Sequence, residues 1–403
     1  MYFTASDPIL VEKIDTNPDF IDNFTYSPFE IARAHETCLY ASRTVSGHFT
    51  LYIGSLQTFG DLMKPINKWI GGIVLLSAAI CSHAAISVGP TSLVIFGDSL
   101  SDSGNNSNVP AIGANPGQTI DGNSYIPGQT YGAAPFGTYS NGPVWATQYA
   151  AMMGLSALPS VIPGLGGTNY AFGGAKTNGG LVPSLLTQAG MFLDAPPASV
   201  DVASALFVVA GGGNNARDTF TSLLLQSDFG VIGSTMSANA AQYANDIGAI
   251  VDQLQFAGAT SIIVWNTPNI GLAPAIGAVP GTLSGLTAKQ LGTMVSGANN
   301  GALATRMAGE AGVQIFDLYG LVGQAAAHGF TNTTDACGNM DLGCFTDLQH
   351  ALFWDGIHPT SAGHSFIAQN MFALTTPVPE PETYAMMLVG LFLITQVARR
   401  RSN

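Results

Sequence analysis

The feature that most constrains this chain is a set of short, uninterrupted apolar runs, the clearest of which end in glycine-rich polar clusters. Ala205-Leu206-Phe207-Val208-Val209-Ala210 stops at Gly211-Gly212-Gly213-Asn214, and Ser92-Leu93-Val94-Ile95-Phe96 stops at Gly97-Asp98-Ser99. A run with no polar alternation suits a strand buried on both faces, as in a parallel sheet covered on each side by helices. Residues 261–265 and 313–318 are further strand candidates, and 169–172, ending at Gly173-Gly174, is a weaker one. Helical patterns fall between them at 144–154, 181–193, 237–256, 287–309 and 361–372. Strands alternating with helices predict an α/β fold. No internal repeat is visible. Residues 105–141 are rich in Gly, Pro and Asn and form a long loop, the kind that often lines a binding site.

Open parallel sheets bind ligands at the carboxyl ends of their strands, where the polar clusters of this chain lie. A serine hydroxyl becomes a nucleophile only when a nearby imidazole takes its proton, and a carboxylate must hold that imidazole in the right tautomer. Phe353-Trp354-Asp355-Gly356-Ile357-His358-Pro359 supplies carboxylate and imidazole three residues apart, just before a helix. Glycine N–H groups and an asparagine amide are suitable donors for a developing oxyanion. Each group alone has an ordinary explanation. Gly-Asp-Ser is common turn chemistry, Ser99 fits a helix cap, and a histidine before proline is frequent in loops. Their joint presence at successive strand ends is what points to catalysis. His350 and His364 lack the spacing of His358 to Asp355, and His364 is read as part of the last helix. Asp98 and Asp102 are read as ordering the nucleophile loop.

These blocks resemble the GDSL, or SGNH-hydrolase, family of esterases and lipases. Gly97-Asp98-Ser99-Leu100-Ser101-Asp102 matches the first block. Asn169-Tyr170-Ala171-Phe172-Gly173-Gly174-Ala175 is similar to the second, Gly212-Gly213-Asn214-Asn215 to the third and Asp355-Gly356-Ile357-His358-Pro359 to the last. Trp265-Asn266-Thr267-Pro268-Asn269 resembles the family's strand end before a variable helix, so the likeness spans roughly residues 92–372. It implies a flavodoxin-like three-layer α/β/α sandwich with about five parallel strands. It implies Ser99, Asp355 and His358 as catalytic residues. The oxyanion hole would comprise the N–H of Ser99, Gly174 (with Gly173 as the alternative) and Asn214. Where the family usually has Asp, this chain has Asn215. The implied reaction is ester hydrolysis through an acyl-enzyme, with no metal or organic cofactor. Lipid, phospholipid, short acyl and acetylated polysaccharide esters remain open as substrates. An exopolysaccharide O-deacetylase and a non-catalytic surface or matrix protein are the alternative readings.

Both termini read as addresses. Met63-Lys64-Pro65 with Lys68 opens an apolar run from 69 to 80, followed by Ser82-His83-Ala84-Ala85. This is the layout of a secretory signal at 63–85, cleaved after Ala84 or Ala85, and the run is short for a membrane span. A signal does not normally sit behind a leader, so translation is expected to begin at Met63, with residues 1–62 a non-native extension. The alternative is a genuine extension with 69–80 buried as a short helix. After a hydrolase domain at 86–376, residues 377–403 carry Val378-Pro379-Glu380-Pro381-Glu382, an apolar stretch and Arg399-Arg400-Arg401. This tail resembles the PEP-CTERM sorting signals of Gram-negative bacteria. The resemblance implies export to the cell envelope or beyond, transient membrane association, and processing by signal peptidase and an exosortase-type enzyme. Cys337 and Cys344 are the even pair left in the mature domain, and an oxidising compartment predicts a disulfide between them. The net charge of −13, with only Lys176, Arg217, Lys289 and Arg306 basic between 86 and 378, excludes nucleic acid as a partner.

Overall fold

The computed structural model describes residues 39–43, 49–53, 89–109 and 137–375, with single helical positions at 390, 392 and 399. The leader at 63–85, most of the loop at 105–141, and the tail at 377–403 save those three positions lie outside the described residues. So does the upstream segment 1–62, apart from its two strands. The chain divides into two units, Met1–Val88 and Gly89–Asn403. The described part of the first is an antiparallel pair, β1 (Leu39–Arg43) with β2 (Phe49–Ile53).

The second unit is built on a parallel sheet of β3 (Ser92–Gly97), β4 (Ala205–Ala210), β5 (Ser261–Trp265) and β6 (Val313–Phe316), in that spatial order. The weaker candidate at 169–172 lies along the free side of β3. Ile95 N–H donates to Thr168 O, Tyr170 N–H to Ile95 O and Phe172 N–H to Gly97 O. It is thus an irregular fifth edge rather than a full strand. Its outward carbonyls, Asn169 O and Ala171 O, are taken by the side-chain amide of Asn105, which blunts the edge.

Helices cover both faces: α1 (Asn105–Asn108), α2 (Trp145–Met152), α3 (Leu185–Asp194), α4 (Gly213–Leu223), α5 (Phe229–Phe256), α6 (Pro274–Gly277), α7 (Ala288–Met307), α8 (Leu318–Gly323) and α9 (Ser361–Thr375). Because strand side chains alternate, Val94, Phe96, Phe207, Val209 and Val264 pack on one face with Leu185, Phe192, Tyr243, Ile247 and Leu303. Leu93, Ile95, Leu206, Val208 and Trp265 pack on the other with Trp145, Tyr149, Ile367 and Met371. The result is a three-layer α/β/α sandwich. β4 is buried along its whole length, as its unbroken apolar run requires.

Several boundaries differ from the sequence pattern; α3, for one, starts at Leu185 rather than 181, where Ser184 caps it through Thr187 N–H. α5 begins at Phe229, eight residues early, because Asp228 caps it by accepting from Gly230 and Val231 N–H. β6 ends at Phe316 because Asp317 caps α8 through Gly320 N–H. The helical patterns of the sequence do not include α4, yet Ala216, Phe220 and Leu223 recur at helical spacing and are buried. A small parallel pair, β7 (Asn332–Ala336) with β8 (Ala351–Phe353), was also not expected; β8 leads directly into Trp354 and Asp355. The Cys337–Cys344 disulfide is formed, with Cα atoms 5.3 Å apart. Cys337 N–H donates to Phe353 O and Gly338 N–H to Trp354 O, so the bridged loop braces the chain just before Asp355.

Candidate active site

Ser99 emerges from β3 into a turn in which Asp98 O accepts from the N–H groups of Ser101 and Asp102. The turn is fixed from all sides. Gln188 on α3 accepts from Gly97 N–H at 2.8 Å and donates back to Gly97 O at 2.9 Å. Trp145 Nε1 donates to Ser101 Oγ, and Asn169 Nδ2 to Ser101 O. Asp102 accepts from the N–H groups of Gly104, Asn105, Asn106 and Gly173, tying this block to the second one. Burial pushes the Asp102 carboxyl up to about 6 against these four donors, and burial likewise pushes Asp98 up to about 6 against the N–H of Leu100. The two aspartates order the loop.

Asp355 and His358 share one tight turn after β8. Asp355 Oδ1 accepts from the N–H groups of Ile357 at 2.8 Å and His358 at 2.7 Å, and Trp354 N–H donates to His358 O. The other carboxylate oxygen, Oδ2, lies 2.6 Å from His358 Nδ1. With the carboxylate accepting from Nδ1–H, the lone pair of Nε2 faces the opposite way. It meets Ser99 Oγ at 2.8 Å, although 259 positions separate the two residues. Ser99, Asp355 and His358 are all more than nine-tenths buried. The ring of Tyr139 lies against the imidazole, with centroids 5.3 Å apart, and its hydroxyl accepts from Asn106.

Of the two second-block glycines, Gly173 has already given its N–H to Asp102. Gly174 has φ +84°, a left-handed conformation that glycine adopts without strain. Asn214 stands in the first turn of α4, which Gly212 (φ 124°) starts by reversing the chain out of β4. One N–H of the Asn214 amide donates to Ala175 O at 2.9 Å, leaving the second for a ligand. His350 lies apart, paired with Asp347, and His364 is buried in α9, where burial pushes it down to about 3.

Ser99, His358 and Asn214 open onto one cavity of about 70 Å³. Leu100, Ile270, Ile276, Phe353 and Ile357 make its wall largely apolar, and among the described residues Arg217 is the one Lys or Arg that lines it. Sequence reasoning assigned no role to the apolar lining, and the cavity's members come from six separate segments. Among the described residues no group of three or more His, Cys, Asp or Glu is arranged to hold a metal ion.

The family model described as GDSL-like Lipase/Acylhydrolase matches residues 93–371. A GDSL esterase/lipase of Arabidopsis thaliana is 25% identical over 351 residues, covering 73% of this chain and 89% of its own. Among solved structures, an extracellular lipase from Streptomyces rimosus aligns with a TM-score of 0.39 and 19% identity, over 71% of this chain and 99% of that one. A phospholipase A1 from Streptomyces albidoflavus aligns with a TM-score of 0.36 and 18% identity, over 72% and 100%.

Proposed function

The chain belongs to the GDSL-like Lipase/Acylhydrolase family and is a carboxylic ester hydrolase; from that premise we propose that it is an exported serine esterase or lipase working through Ser99, His358 and Asp355. The observation that carries the mechanism is the unbroken relay from Asp355 Oδ2 through His358 to Ser99 Oγ, with links of 2.6 and 2.8 Å.

As Ser99 Oγ attacks the ester carbonyl carbon, its proton passes to His358 Nε2, and Asp355 stabilises the imidazolium. The carbonyl oxygen becomes an oxyanion held by the N–H groups of Ser99 and Gly174 and by the Asn214 amide. Collapse of the tetrahedral intermediate breaks the bond to the alcohol, which leaves with the proton from His358. Water then attacks the acyl-enzyme, giving up a proton to His358 on the way in. The acid is released and Ser99 recovers its proton. The apolar cavity beside Ser99 supports an acyl chain as the recognised part of the substrate. Export is supported by the secretory pattern at 63–85, the sorting-type tail at 377–403 and the Cys337–Cys344 disulfide.

The test is hydrolysis of p-nitrophenyl esters of increasing chain length by the full chain beside Ser99→Ala. The expected result is turnover that the variant abolishes, with the preferred length reporting the acyl pocket. Undiminished activity in Ser99→Ala removes Ser99 from its role. No activity on any ester favours a non-catalytic surface protein, and activity on acetyl esters alone favours a polysaccharide O-deacetylase.

A further inference from the structure

The reaction above makes no use of a hydrogen-bond chain that lies behind the oxyanion donors. Thr177 is fully buried, three residues after Gly174, and Asp246 on α5 is 5% exposed. Thr177 N–H donates to Asn215 Oδ1 at 3.1 Å, which fixes which end of the Asn215 amide faces the threonine. Asn215 Nδ2 therefore donates to Thr177 Oγ1, at 2.9 Å. A hydroxyl carries one proton. Since Oγ1 is already accepting from Asn215, that proton goes to Asp246 Oδ2, at 2.7 Å. The remaining carboxylate oxygen of Asp246 accepts from Gln242 Nε2 at 2.7 Å. Every link is satisfied, and the chain runs in one direction only: amide to hydroxyl to carboxylate.

Its position gives that polarity a consequence. Asn215 is the neighbour of Asn214, and Asn214 itself donates to Ala175 O. The segment carrying Gly174 is thus joined to the first turn of α4 by three hydrogen bonds, and Asp246 anchors the join from α5. We propose that Asn215, Thr177 and Asp246 form a polarity-matched clamp that sets the spacing between the Gly174 N–H and the Asn214 amide. They act as positioning residues for the transition state. The proposal rests on the hydrolase reading above. Donors in an oxyanion hole act on charge that develops only in the transition state, so loosening the clamp lowers kcat and leaves KM nearly unchanged.

Asn215→Asp replaces the donor by a second carboxylate competing for the single hydroxyl proton. We expect kcat to fall about 10- to 100-fold, the scale of a misplaced rather than a deleted oxyanion donor, with KM within about twofold. In Asn215→Asp/Asp246→Asn the chain is satisfied in reverse: the hydroxyl donates to the carboxylate at 215 and accepts from the amide at 246, whose oxygen accepts from Gln242. The double variant should recover most of the lost kcat. A wild-type kcat in Asn215→Asp, a double variant no better than the single one, or a loss carried by KM would each overturn the clamp. If Asn215→Asp does not fold, Thr177→Ser should keep kcat and Thr177→Val lose it, and equal rates in those two overturn the proposal. Amide hydrogen exchange over residues 173–177 gives a readout without turnover, faster in Asn215→Asp and slowed again in the double variant. Unchanged exchange overturns the clamp. A wild-type chain inactive on every ester sinks the hydrolase reading, and the exchange measurement then decides the clamp separately.

Discussion

Asp98 stands beside Ser99 and is 3% exposed, and burial raises its carboxyl from the ordinary 3.8 to about 6. An acid whose pKa is higher in the folded state binds more protons folded than unfolded between those two values. Its contribution to stability is therefore present below about pH 4 and lost as pH rises to about 6. Asn in its place keeps an acceptor for Leu100 N–H and removes the titration. The stability difference between Asp98→Asn and wild type should move in the variant's favour by on the order of 2–3 kcal/mol from pH 4 to pH 6. Urea unfolding at several pH values measures it, and a flat difference contradicts the account. At His358 the chemistry is simpler, because no other base touches Ser99 Oγ in the described structure. His358→Ala should keep native circular dichroism and lose turnover by about 10²-fold or more, and retention of a tenth of the rate would exclude general-base catalysis by this residue. The pairing of Asp355 with His358 was legible in sequence, since three residues of spacing let one turn present both. Which of Gly173 and Gly174 has its N–H to spare was not. That depends on Asp102, some seventy positions away.

At the scale of elements, Ser99 is placed by how α3 meets β3. Gln188 is fully buried and satisfies both the N–H and the C=O of Gly97, the last residue of β3, as well as Pro183 O. Gln188→Ala leaves the Gly97 N–H without its partner and opens a small void, so the domain should lose about 2–4 kcal/mol. Chemical denaturation checks this, and a change under about 0.5 kcal/mol would show that the contact carries little. The strands at 205–210 and 261–265 were legible to the residue because burial on both faces writes itself as continuous apolar sequence. α4 was obscured because Gly211-Gly212-Gly213 and two asparagines dominate its start, and helix propensity there is low. Its apolar residues pack with Ile232, Ile270 and Leu291, and that packing outweighs the local preference.

At the scale of the whole molecule, the chain carries a net charge of −13, while the lining of its cavity is mostly apolar. Self-repulsion from an anionic interface should therefore govern encounter with aggregated substrates while leaving small soluble esters unaffected. Raising salt from 10 to 150 mM shortens the screening length from about 30 to about 8 Å. Hydrolysis of esters presented in anionic micelles should speed up several-fold over that range, and hydrolysis of a soluble short-chain ester should stay nearly constant. Equal responses would remove charge from the explanation. By itself the sequence determined the layered α/β class, most helices and strands, and the short-range pairing of Asp355 with His358. Apolar periodicity records burial, and short spacings record local turns. The tertiary structure alone decided that Ser99 meets His358 across 259 positions. It alone also decided that Gln188 closes the end of β3, and that Asn215, Thr177 and Asp246 form one directed chain. Those contacts follow from strand order and from how helices cross the sheet, and no local pattern of residues encodes either.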